Sequence, residues 1–227
     1  MNRKKLKRAF LKTLPVMAGY LVIGIGYGIL LRSSGYGALW ALATGVLIYA
    51  GSMQYVGVGL LAGGASVFTA IVTTLMVNAR HLFYSVSMLG RYKDTGKYKP
   101  YLIFALTDET YSLLCDEAVP EGTDAGLYYF LVSAFNQFYW VAGCVAGSLI
   151  GTVLPFSTRG IEFSMTALFI ASFTEQWLTN RDHVPAVIGT VSAVLCLIVF
   201  GTEHFLIPAM LLITLALTAV RKREEEK

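Results

Sequence analysis

Charge is scarce in this sequence: Asp, Glu, Lys and Arg make up 14% of its 227 residues. Soluble domains carry about 25%, so an ordinary water-facing globule is excluded. Cysteine is scarcer still. Cys115, Cys144 and Cys196 have neither metal-ligand spacing nor the pattern of a disulfide framework. Enzyme motifs are absent: there is no P-loop, no H-E-x-x-H and no G-x-S-x-G. Neither a metal nor a cofactor is expected. Lacking an ATP-binding motif, the chain would need an ion gradient or a separate motor for uphill work.

What remains is apolar. Hydrophobic residues make up 56% of the chain and the mean hydropathy is +0.61. The long apolar runs predict an all-α polytopic membrane protein in a lipid bilayer. Its 22 glycines suit close helix packing. Seven or eight hydrophobic segments are expected, near 13–31, 38–62, 66–89, 100–115, 126–154, 161–178, 184–200 and 205–220. Residues 1–12 read as a basic cytoplasmic segment, 13–220 as a single transmembrane transport domain and 221–227 as a charged tail. The first apolar run is too long for a signal-peptide core, lacks a cleavage site and reads as a membrane helix with Pro15 in its first turn.

The net charge of +4 sits in clusters: Arg3 to Lys12, Arg91 to Lys99 and Arg221 to Arg223. Clusters that flank membrane helices mark the cytoplasmic side and are not a nucleic-acid surface. If the first three segments all cross and the N-terminus is cytoplasmic, the basic loop 91–99 falls outside. A broken or re-entrant second segment, interrupted around Gly51-Ser52, would restore the charge rule.

Polar side chains within apolar runs mark the candidate site. Arg80 lies deep in segment three, beside Asn78 and His81. A charge at the centre of a membrane helix costs about 2.5–3.5 kcal/mol on insertion scales. Asp108 and Glu109 stand adjacent in segment four, and Arg80 is their expected counter-charge. Tyr49, Gly51, Ser52 and Gln54 sit where segment two is expected to unwind. That stretch could offer hydrogen bonds to a polar headgroup, or simply glue helices together. Asn136 and Gln137 in segment five admit the same two readings. Trp140 reads as packing or lipid-facing, and Gly143, Gly147 and Gly151 as a packing ridge. His81 could relay a proton or brace Arg80. Glu162 and Glu175 sit near segment ends.

Tyr49-Ala-Gly-Ser-Met-Gln54, Asn78-Ala-Arg-His81 and Thr107-Asp-Glu-Thr110, in this order and spacing, resemble the AzlC-type branched-chain amino acid permeases. The likeness covers nearly the whole chain, although segments seven and eight carry no motif that matches. It implies a secondary transporter in the bacterial cytoplasmic membrane. That transporter would export leucine, isoleucine, valine and methionine, driven by the proton motive force. It also implies a separate small AzlD-type membrane subunit as partner. Under this reading Tyr49, Gly51, Ser52, Gln54, Asn78, Arg80 and Asn136 bind the amino-acid substrate. Asp108, Glu109 and His81 carry the coupling proton or bind the ammonium. The competing expectations are a non-catalytic membrane scaffold, or a channel or importer for another small solute.

Overall fold

The computed structural model describes residues 3–115, 119, 124–153, 170, 173–174, 177–178 and 182–225. Glu162 and Glu175 lie outside the described residues. All regular structure among the described residues is helical.

Helix α1 runs from Arg3 to Ser33, so the basic N-terminal residues continue the first apolar segment without a break. Lys, Arg, Leu and Ala favour helix and carry it outward. Pro15 therefore lies well inside the helix and not in its first turn.

Segments two, three and four are each split into two short helices. Segment two gives α2 (Ala38–Leu47) and α3 (Gly51–Ala62). Segment three gives α4 (Val67–Asn78) and α5 (Arg80–Met88). Segment four follows a 3-10 turn at Gly96–Tyr98 and gives α6 (Lys99–Phe104) and α7 (Asp108–Leu114). Beyond them come α8 (Ala125–Val153), α9 (Val184–His204) and α10 (Leu206–Glu225). Three described helices are long and apolar enough to cross a bilayer: Leu6–Ser33, Ala125–Val153 and Val184–Thr202. At about 1.5 Å per residue, the 10 residues of α2 reach about half of a 30 Å hydrocarbon core.

Two of the three breaks have a local cause. Tyr49 takes a left-handed conformation, with φ 44°, and stops α2 two residues ahead of α3. The interruption thus precedes Gly51-Ser52, which form the first turn of α3. Thr107 caps α7: its Oγ1 accepts from the Thr110 amide at 3.2 Å. Asp108 and Glu109 then fill the first turn, where acidic groups meet the positive end of the helix dipole. Segment four was expected to run unbroken, but the cap gives the backbone a better solution there.

The chain forms two compact units: residues 1–71 with 81–165, and residues 72–80 with 166–227. In the first unit the principal packing is α1 against α8. Gly24 and Gly28 of α1 meet Gly143 and Gly147 of α8. A Cβ on Gly24 would come within 3.0 Å of the Trp140 carbonyl oxygen. On Gly28 or Gly147 it would overlap the facing backbone. Lipid tails are as apolar as leucine, so van der Waals contact of this kind holds membrane helices together. Tyr55 Oη pins α3 to α1 by donating to the Ile23 carbonyl at 2.7 Å. In the second unit α9 packs against α10, and Gly201, at φ 72°, interrupts the helical path of α9.

Candidate functional site

The first unit gathers polar side chains from four elements into one buried network. From α1, Tyr20 Oη lies 2.6 Å from Glu109 Oε2 and 2.7 Å from Thr107 Oγ1. Thr107 Oγ1 donates to Thr110 Oγ1 at 3.1 Å. From α8, Asn136 Nδ2 donates to the same Thr110 oxygen at 3.0 Å. Trp140, one turn further along α8, donates to Gln54 Oε1 of α3 at 2.8 Å. Its indole packs edge-on against Tyr20, with centroids 5.4 Å apart, and stacks with Tyr27 at 6.4 Å. Gly51 lies against the same indole, where a Cβ would come within 3.1 Å of the ring. Tyr49 closes the set, near Tyr20, Thr107 and Glu109 without making a well-aligned bond to either hydroxyl.

Within this network three buried polar atoms make no well-aligned hydrogen bond: Tyr49 Oη, Gln54 Nε2, which lies near the Tyr27 hydroxyl, and Asn136 Oδ1. Asn136 is 0% exposed and Gln54 and Tyr49 are 3% exposed, so lipid and bulk water do not satisfy them. An unfilled donor or acceptor in such a place costs about 1–3 kcal/mol. The start of α3 adds donor character, because its N-cap residue, Ala50, makes no side-chain cap. The network therefore presents unused donors and an unused acceptor together with a carboxyl group.

The candidate residues divide between the units. Tyr49, Gly51, Ser52, Gln54, His81, Asp108, Glu109 and Asn136 belong to the first; Asn78 and Arg80 belong to the second. His81 faces Tyr84 edge-on at 5.9 Å, and Tyr84 stacks on Tyr111 at 5.1 Å. Gln137, weighed equally with Asn136, differs from it. Its Oε1 accepts from Tyr101 and its Nε2 donates to the Val46 carbonyl, so it is fully used as helix glue. Trp140 is buried and takes part in the network.

Sequence reasoning missed Tyr20, Thr107 and Thr110 as members. Thr107 and Thr110 had a readable signal, since a threonine ahead of two acids marks a helix start. Tyr20 had none: it meets Thr107 across 87 residues of chain.

Short helices broken around buried polar groups, beside helices long enough to span, define a multi-pass helical membrane protein of the transporter type. The family model described as AzlC protein matches residues 15–154. The chain belongs to the AzlC family. It is 44% identical over 220 residues to the branched-chain amino acid transport protein AzlC of Bacillus subtilis (strain 168), covering 97% of this chain and 87% of that one. It is also 44% identical over 222 residues to a membrane protein of Helicobacter pylori (strain ATCC 700392 / 26695), covering 98% and 97%. The inner membrane protein YgaZ of Escherichia coli (strain K12) is 28% identical over 166 residues, or 70% of this chain and 68% of YgaZ. No solved structure matches the chain.

Proposed function

We propose that this chain exports branched-chain amino acids (leucine, isoleucine and valine, with methionine as a further substrate) across the bacterial cytoplasmic membrane. Transport is coupled to the proton motive force and needs a small AzlD-type membrane subunit. One observation carries the reading: buried, unfilled hydrogen-bonding capacity of both signs surrounds a helix break. A zwitterionic headgroup supplies both complements. Its carboxylate suits the start of α3 at Gly51, with Gln54 Nε2 and the Tyr49 hydroxyl. Its ammonium suits Asn136 Oδ1 and the Glu109 carboxylate. Asp108, Glu109 and His81 form the coupling set, and Asn78 and Arg80 are further candidates for substrate binding. The name of the Bacillus subtilis relative, a branched-chain amino acid transport protein, supports the substrate class.

The test is efflux. Cells expressing the chain with its partner subunit are loaded with leucine-containing dipeptides, and intracellular leucine is followed. Faster clearance than in cells lacking the pair is expected, and Arg80→Ala and Asp108→Asn, at matched membrane abundance, are expected to slow it about tenfold or more. That factor corresponds to about 1.4 kcal/mol. Equal leucine, valine and isoleucine levels in all strains would reject export.

The topology follows from the same reading. The second segment turns back at its break, and the basic loop at Lys93–Lys97 stays cytoplasmic. A cysteine placed there, in a background with Cys115, Cys144 and Cys196 changed to serine, should resist a membrane-impermeant maleimide added to intact cells. Ready labelling from outside would place the loop on the other face.

A further inference from the structure

Three oxygen-to-oxygen contacts run in series from Glu109: 2.6 Å to Tyr20, 2.7 Å on to Thr107 and 3.1 Å on to Thr110. Each contact needs one hydrogen, and each hydroxyl owns one. Suppose that Tyr20 donates to Glu109 at one end and Thr107 donates to Thr110 at the other. The central contact then has no hydrogen, and two bare oxygens at 2.7 Å repel. The series closes in two ways. With Glu109 ionised, Tyr20 donates to the carboxylate and Thr107 to Tyr20, and the Thr110 hydroxyl has to turn from its position here, in which it accepts from Thr107, to supply the last hydrogen. With Glu109 protonated, the acid donates to Tyr20, Tyr20 to Thr107, and Thr107 to Thr110. One proton on one carboxyl group therefore sets the direction of every bond in the series. A phenol suits the centre, because its hydrogen has two equivalent positions in the ring plane.

The series ends on the headgroup site. Asn136 Nδ2 donates to Thr110 Oγ1, and Asn136 also carries the unfilled Oδ1 acceptor. When Glu109 is ionised, Thr110 accepts from Asn136 alone. When Glu109 is protonated, Thr110 accepts from Thr107 as well and turns its own hydrogen elsewhere. The hold on the Asn136 amide differs between the two settings.

We propose that Tyr20 is the positioning residue through which a proton on Glu109 sets the hydrogen-bond direction at Thr107 and Thr110, and with it the hold on Asn136. The proposal rests on the reading of Glu109 as the coupling group. The ionisable groups that face Glu109 in the first unit include the Tyr20 phenol from α1 and the Tyr49 phenol from the break between α2 and α3; Asp108 is its neighbour on α7. Tyr49 keeps an unused hydroxyl beside Tyr20 and Thr107 and so stands ready to accept a hydrogen that either one turns away.

Infrared difference spectra of the full chain in lipid vesicles, stepped between acidic and alkaline buffer, test this without transport. The parent protein is expected to show the carbonyl stretch of a protonated carboxyl group, and Glu109→Gln is expected to remove it. Tyr20→Phe removes the acceptor of the acid hydrogen and should move that band to higher frequency. Thr107→Ser keeps the hydroxyl and should leave it in place. If Tyr20→Phe does not insert, Thr107→Val cuts the series one step later and should move the band in the same direction by less. A band indifferent to both Tyr20→Phe and Thr107→Val, or none lost in Glu109→Gln, would overturn the relay. Because no substrate is present, a failed leucine efflux assay alongside a shifted band rejects the export reading and leaves the relay standing.

Discussion

Replacing Gly28 by alanine is expected to remove most of the folded, membrane-inserted protein, while Gly19→Ala leaves its yield and thermal stability unchanged or slightly raised. Both glycines lie on α1, nine residues apart. A Cβ at Gly19 meets nothing within 4 Å. A Cβ at Gly28 runs into the backbone of α8 at Cys144, Gly147 and Ser148. Side chains can rotate out of the way, but backbone cannot, so the helices must part. Overpacking typically costs about 1–3 kcal/mol, and the rigid obstacle puts this case at the upper end or beyond. Alanine's gain in helix propensity over glycine, about 1 kcal/mol, does not offset it. The effect reaches the site as well. Tyr20 comes from α1, and Asn136 and Trp140 come from α8, so parting the helices separates Tyr20 from its neighbours on the other side. Detergent-extracted protein, followed by size-exclusion profile against temperature, measures both variants. Matching unfolding midpoints would show that the close approach of α1 and α8 is not what holds the first unit together.

Asn136→Leu is expected to cut leucine efflux by about tenfold or more, chiefly by raising the substrate concentration needed, with folded protein little changed. The comparison is Gln137→Leu, which should act through stability. The two amides are adjacent on α8 but differently used. Gln137 spends both ends on helix contacts to Tyr101 and Val46. Asn136 spends its Nδ2 on Thr110 and leaves its Oδ1 buried without a bond. Hydrogen bonds between membrane helices average about 0.6 kcal/mol. Losing the Thr110 bond is therefore cheap, and an apolar replacement also removes the cost of the unfilled acceptor. A site that loses its acceptor for an ammonium loses far more. Equal efflux in Asn136→Leu and the parent protein would return Asn136 to the role of helix glue.

Tyr49, Gln54, Glu109 and Asn136 were all singled out from polarity within apolar runs, and the fold brings them into one network. The physical signal was strong because an unsatisfied polar group in hydrocarbon is expensive wherever it occurs. The breaks were only partly legible. The Tyr49-to-Gln54 stretch suggested one. The Thr107 cap was written in its neighbours but masked by the apolar run around it. The break at Ala79 has no proline or glycine to announce it.

The sequence alone decided the environment and the class. Scarce charge and long apolar runs demand a bilayer, and runs this long and continuous cross it as helices, in which each backbone amide finds its partner within the segment. Spaced glycines on segments one and five announced helices that come close. Only the tertiary structure decided which polar groups share a site. Tyr20 meets Glu109 across 89 residues of chain, and Trp140 meets Gln54 across 86. No local pattern encodes such pairs. They follow from the approach of α1 to α8 and from short helices ending beside them, where a tyrosine otherwise indistinguishable from the other twelve finds a carboxyl group at 2.6 Å.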